Sequence, residues 1–190
     1  MFASPAVPVS GPSFTSSVAI VRRADVRYSW QRGCPVGPSK LRLLELGYWG
    51  FDGLPHVGRI VVNVAVVDEV TKVFKLLWEE RFPIRRMFPL DVFAGNAARS
   101  MAADNTTAFD CRRRGRAAGT GIDLNPVENP EIVRGVVTPP QGRKYLKRSV
   151  VRLGMAVRGG PLVQAFALSG WTWGGLWRPP EYEHFSANAR

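Results

Sequence analysis

From Val67 to Phe82 the apolar residues fall at Val67, Val70, Val73, Phe74, Leu77, Trp78 and Phe82, a three-and-four spacing that gathers them on one face of a helix. Asp68 and Glu69 stand near the positive end of that helix, and Pro83 stops it. Elsewhere Gly and Pro cut the chain into pieces of strand or short-helix length. Strand and helix signals alternate without a repeated strand-helix-strand rhythm. This predicts an α+β domain with a small antiparallel sheet flanked by helices.

Around the helix, Leu41, Leu43 and Leu46 come in near alternation up to Gly47 and predict a strand, and residues 59–66 (R-I-V-V-N-V-A-V) predict a second one after a turn-rich stretch at 48–58. A short extended piece is expected over 84–93, short helices over 97–103 and 161–168, and a strand over 149–157. Residues 115–125 are glycine-rich and expected to be flexible, and 125–142 reads as a long loop punctuated by Pro126, Pro130, Pro139 and Pro140. Pro5, Pro8, Pro12 and scattered serines suggest that 1–27 is a disordered or leader segment preceding a domain at 28–190. Trp171, Trp173 and Trp177, spaced by glycines, are read as core and cleft wall.

A net charge of +11 suits any polyanion, whether nucleic acid, an anionic membrane surface or an anionic wall polymer. No basic helix, zinc-finger spacing or aromatic RNA-binding signature accompanies it, so nucleic acid is not the expected partner. No apolar run approaches the length of a membrane span. Cys34 and Cys111 are the two cysteines, and their spacing permits either one disulfide or two buried thiols.

The chain has two histidines, His56 and His184, which limits any histidine-based site. His184 lies in P-P-E-Y-E-H-F, three residues after Glu181 and one after Glu183. Taken in order, the segments W-Q-R-G-C-P-V, L-L-E-L-G-Y-W-G-F-D-G-L-P-H-V-G-R-I-V-V-N, F-P-I-R-R-M, S-M-A-A-D-N-T-T-A-F-D-C-R, G-I-D-L-N-P-V-E-N-P, G-W-T-W-G-G-L-W and E-Y-E-H-F resemble the D-alanyl-D-alanine carboxypeptidase family of zinc peptidases. That family includes vancomycin-resistance-type D,D-peptidases and L-alanyl-D-glutamate endopeptidases. The resemblance runs from about Trp30 to Ala187.

The resemblance implies a zinc held by His, Asp and His, with an acidic residue three positions before the last His activating the metal-bound water. Carried over, the metal ligands are Asp123 and His184 and the base is Glu181, while Arg112 corresponds to an arginine that holds substrate or a developing oxyanion. It also implies a disulfide between Cys34 and Cys111, and a structural role for His56. The family pattern places the first ligand His in Ser-x-His-Ala-Tyr-Gly, seven positions before the Asp. Here that position is Arg116, and the stretch between Cys111 and Asp123 is shorter than the family's. A guanidinium stays protonated and offers no lone pair, so Arg116 repels a metal unless its loop swings it into solvent. The shortening is expected to misplace position 116.

Three readings follow. The first is a zinc peptidase, extracytoplasmic or secreted in a bacterium and acting as a monomer on peptidoglycan stem peptides. The second is a degenerate relative that binds the wall without hydrolysis. The third, from charge alone, is a nucleic-acid-binding module.

Overall fold

The computed structural model describes residues 11–112 and 116–187. Strands β1 (Ser16–Ile20), β2 (Leu41–Trp49) and β3 (Pro55–Asn63) form one antiparallel sheet in the order β1-β2-β3. Helix α1 (Val67–Glu79) follows, and the side chain of Asn63 accepts from the Ala65 amide at 3.0 Å to start the turn that leads into it. Its stripe is buried as the spacing predicts, with Val70, Val73, Phe74 and Leu77 against β2. A short helix α2 (Ala97–Ala102) comes next.

The second half of the chain holds β4 (Gly121–Asp123), the hairpin of β5 (Glu131–Val133) and β6 (Val136–Thr138), helix α3 (Pro161–Ala167), β7 (Thr172–Trp173) and β8 (His184–Ser186). Strands β4, β8 and β7 make a second antiparallel sheet, with β8 central. Ile122 and Phe185 pair across it and point into the main core, where Phe185 stacks on Phe166 of α3 at 4.0 Å. The fold is α+β with small antiparallel sheets, as expected.

Several local expectations are corrected. Of the leader expected over 1–27, residues 1–10 lie outside the described residues, and the part from Ser16 is structured. β1 pairs along β2, satisfying the backbone groups of what would otherwise be an open edge. Val21 and Val26 are buried in a second small core with Val36, Leu41, Val61 and Phe109. The turn between β2 and β3 shrinks to 50–54, since both strands run further than their alternation suggested. Residues 149–157 form turns rather than a strand.

The stretches read as flexible are also pinned. Gly119 sits at φ +72°, and a Cβ there would meet the Asn63 amide nitrogen at 2.8 Å, so this glycine allows a close backbone approach. After β4, two fully buried asparagines hold the following turn. Asn125 donates to the carbonyls of Pro83 (2.9 Å) and Gly154 (3.2 Å), and Asn129 donates to those of Leu124 (3.1 Å) and Gly154 (3.0 Å). Side-chain amides do here what strand partners do elsewhere.

The same turn carries a buried carboxyl with a displaced titration. Burial, then the hydrogen bond and charge of Asp104, push Glu128 up to about 8, against the opposing pull of Arg85. The folded state therefore binds a proton that the unfolded chain has lost above about pH 4.5. This contribution to stability is complete below the unfolded value and is lost as pH rises through about 8. Thermal unfolding should show stability falling by at most about 1.4 kcal/mol per pH unit over that window. Glu128→Gln should flatten the slope, and an unchanged slope in that variant would exclude Glu128 as its source.

Candidate functional site

The antiparallel register of β4 and β8 sets Asp123 directly opposite His184. Directly opposed residues project from the same face of a sheet, so the pairing alone brings these two side chains together. Nδ1 of His184 lies 3.0 Å from Oδ1 of Asp123. An ionised carboxylate only accepts, so the bridging proton is assigned to Nδ1. Both residues are buried, and the Trp177 ring lies 5.4 Å from the imidazole.

Arg116 completes this group, and here the structure corrects the sequence reading. Its side chain does not swing into solvent. It is 4% exposed. Its Nε donates to Oδ2 of Asp123 and its Nη2 donates to Oδ1 at 2.5 Å, a two-toothed pairing. The same Nη2 lies 3.4 Å from Glu183 and 3.7 Å from Glu181. Arg113 and Arg114, neighbours in the basic run, lie outside the described residues.

The electrostatics follow from burial. For Arg116 burial is the largest influence and alone would lower its pKa, but Asp123, Glu183 and Glu181 together raise it. Glu183, wholly buried, is pushed well up, first by burial and then by the Asp123 charge, with Arg116 opposing. Arg116 is thus a fixed cation, with Asp123 its closest anion.

A zinc ion in the manner implied by the resemblance does not fit these residues. Asp123 and His184 supply two donors where a catalytic zinc takes three protein ligands. Both oxygens of Asp123 accept from the Arg116 guanidinium. Substitute ligands are engaged elsewhere. Cys111 is bonded to Cys34 with α-carbons 5.6 Å apart, and His56 hydrogen-bonds Asp52 at 3.0 Å while stacking on Tyr48.

Arg112 turns to Asp110 (3.3 Å) and to the Gly95 carbonyl. Asp110, Arg116 and Asp123 border one small recess whose remaining lining includes Leu90, Ala97, Met101 and Ala108. Two further residues join the group. Glu183 was visible beside His184 but carried no motif role, and Glu131 gave no sequence signal at all. What reveals Glu131 is an antiparallel bridge between it and Glu181.

The group thus joins carboxylates, one imidazole and one buried guanidinium in a single place. Residues 116–187 match the family model described as D-alanyl-D-alanine carboxypeptidase, and so bear out the family resemblance read from the sequence. The matched segment spans Arg116, Asp123, Glu131, Glu181, Glu183 and His184. No curated protein and no solved structure matches the chain.

Proposed function

We propose that this chain is a catalytically degenerate relative of the D-alanyl-D-alanine carboxypeptidases that binds peptidoglycan stem peptides without hydrolysing them. The observation that carries the reading is the buried Arg116 guanidinium clasping Asp123 where the family places a zinc ligand. Without a metal, Glu181 faces ordinary water, whose pKa is far from neutrality. The reading as an active zinc peptidase requires a third donor, and Cys111 and His56 are both committed elsewhere.

The recess beside Arg116 and Asp123 is small and partly apolar, which suits a methyl group such as the alanine side chain. Arg112, which donates to Asp110 of the recess lining, supplies a cation for the terminal carboxylate of such a peptide. The Cys34–Cys111 disulfide supports an extracytoplasmic setting in a bacterium, where a charge of +11 also favours anionic wall polymers. Among the described residues no helix is long and apolar enough to cross a membrane. The protein acts as a monomer. The nucleic-acid reading retains only the charge in its favour.

Calorimetric titration of the full chain with a stem peptide ending in D-alanyl-D-alanine, run beside an assay for released D-alanine, tests the proposal. Saturable binding is expected, weakened about tenfold by Arg112→Ala, the scale of one charge-assisted hydrogen bond. No D-alanine release is expected with or without added zinc. Release abolished by a chelator would contradict the degenerate reading. Salt-sensitive DNA retention without peptide binding would favour the nucleic-acid alternative.

A further inference from the structure

Beside Arg116 the described residues gather three further carboxylates. Glu131, Glu181 and Glu183 each bring a carboxylate oxygen within 4.8 Å of the other two. The backbone fixes two of them in advance. Glu131 and Glu181 are bridged antiparallel, Ile132 donates to the Pro180 carbonyl at 3.0 Å, and Tyr182 donates to that of Pro130 at 3.3 Å. Glu183 reaches the cluster from the residue just before β8.

A second observation points to a ligand. Glu183 is 0% exposed, yet its Oε2 has no hydrogen-bond partner among the described residues, while its Oε1 lies 3.4 Å from Arg116. An unsatisfied oxygen of a wholly buried carboxyl is costly, and native structures satisfy nearly all such atoms.

We propose that Glu131, Glu181 and Glu183 form a binding site for a hard divalent cation, Ca²⁺ or Mn²⁺, adjacent to Arg116 and distinct from the zinc position that Asp123 and His184 would define. All three donors are carboxylate oxygens, which favour Ca²⁺ or Mn²⁺ over a softer ion. Their mutual separation can be spanned by ligands lying about 2.3–2.6 Å from one Ca²⁺. The ion enters past Glu181, the most exposed of the three, and stabilises the β5 and β8 ends of the site against each other. This goes beyond the peptide-binding reading and stands or fails separately from it.

The test uses the full chain stripped of metal by chelator and dialysis, then titrated with Ca²⁺ and with Mn²⁺ by calorimetry. Expected are one equivalent of ion per chain and a rise in unfolding temperature. Bound Mn²⁺ should broaden the amide resonances of Tyr182 and Glu183 selectively. Glu131→Gln, which leaves the Arg116 pairs in place, should weaken binding about tenfold or more. Folded wild-type chain that takes up no stoichiometric ion overturns the proposal, as does ion binding that Glu131→Gln leaves unchanged. If that variant fails to fold, the wild-type stoichiometry and the position of the broadening decide the matter.

Discussion

Arg116→Ala is expected to destabilise the protein by about 3–5 kcal/mol at neutral pH, the range found when one partner of a buried ion pair is removed. The reason is what remains behind. Asp123 keeps a buried carboxylate that has lost both Arg116 contacts, and Glu183 and Glu181 lose a neighbouring cation. For a chain of 190 residues this lowers the unfolding temperature by about 10 °C. Asp123→Asn in the same background should recover part of the loss, because the orphaned charge goes with it, and the double-mutant cycle isolates the pair. A single-variant loss below about 1 kcal/mol would mean that the guanidinium is not held in the interior, since surface ion pairs contribute no more than that.

Cys34→Ser should cost about 4 kcal/mol, the loop-closure entropy associated with a bridge spanning 77 residues. The bridge closes the second small core of Val21, Val26, Val36, Leu41, Val61 and Phe109, which lies away from the main cluster. Beside it, the Cys111 amide donates to the Ser29 carbonyl at 3.0 Å, and the Trp30 indole donates to that of Val36 at 2.9 Å. Denaturant unfolding of the oxidised and reduced wild-type chain, with Cys34→Ser as reference, measures the difference. Equal midpoints for the two wild-type forms would show that this core holds without the bridge.

The parts of this fold that the sequence makes legible are those where local chemistry agrees with tertiary structure. The three-and-four spacing from Val67 onward gives α1, and the alternation of Leu41, Leu43 and Leu46 gives β2. Misreadings came where long-range contacts override composition. Glycines around β4 suggested mobility, but Gly119 admits the backbone of Asn63. Prolines across 125–142 mark a long loop, but it contains the β5–β6 hairpin, and buried Asn125 and Asn129 tie it down through partners 25 and more residues away.

At the site, Asp123, Glu181 and His184 could be identified from motif residues carried over from a family, and β-sheet register then explains why Asp123 and His184 meet. Arg116 was legible as a missing ligand. That the arginine would itself fill the centre was not, because this depends on Asp123, Glu181 and Glu183 converging from two distant segments. Glu131 stayed hidden for the same reason, since its link to Glu181 is a backbone bridge with no local pattern.

The most direct test of the account is the zinc content of the unmodified chain after loading with zinc in the presence of excess Ca²⁺, which keeps the carboxylate cluster from contributing. The account predicts far less than one zinc per chain, because Asp123 and His184 alone hold the ion weakly and Arg116 stands against it. Arg116→His, which places an imidazole where the guanidinium was, should raise the content. One tightly held zinc per unmodified chain, with hydrolysis of a D-alanyl-D-alanine substrate that a chelator abolishes, would contradict the account.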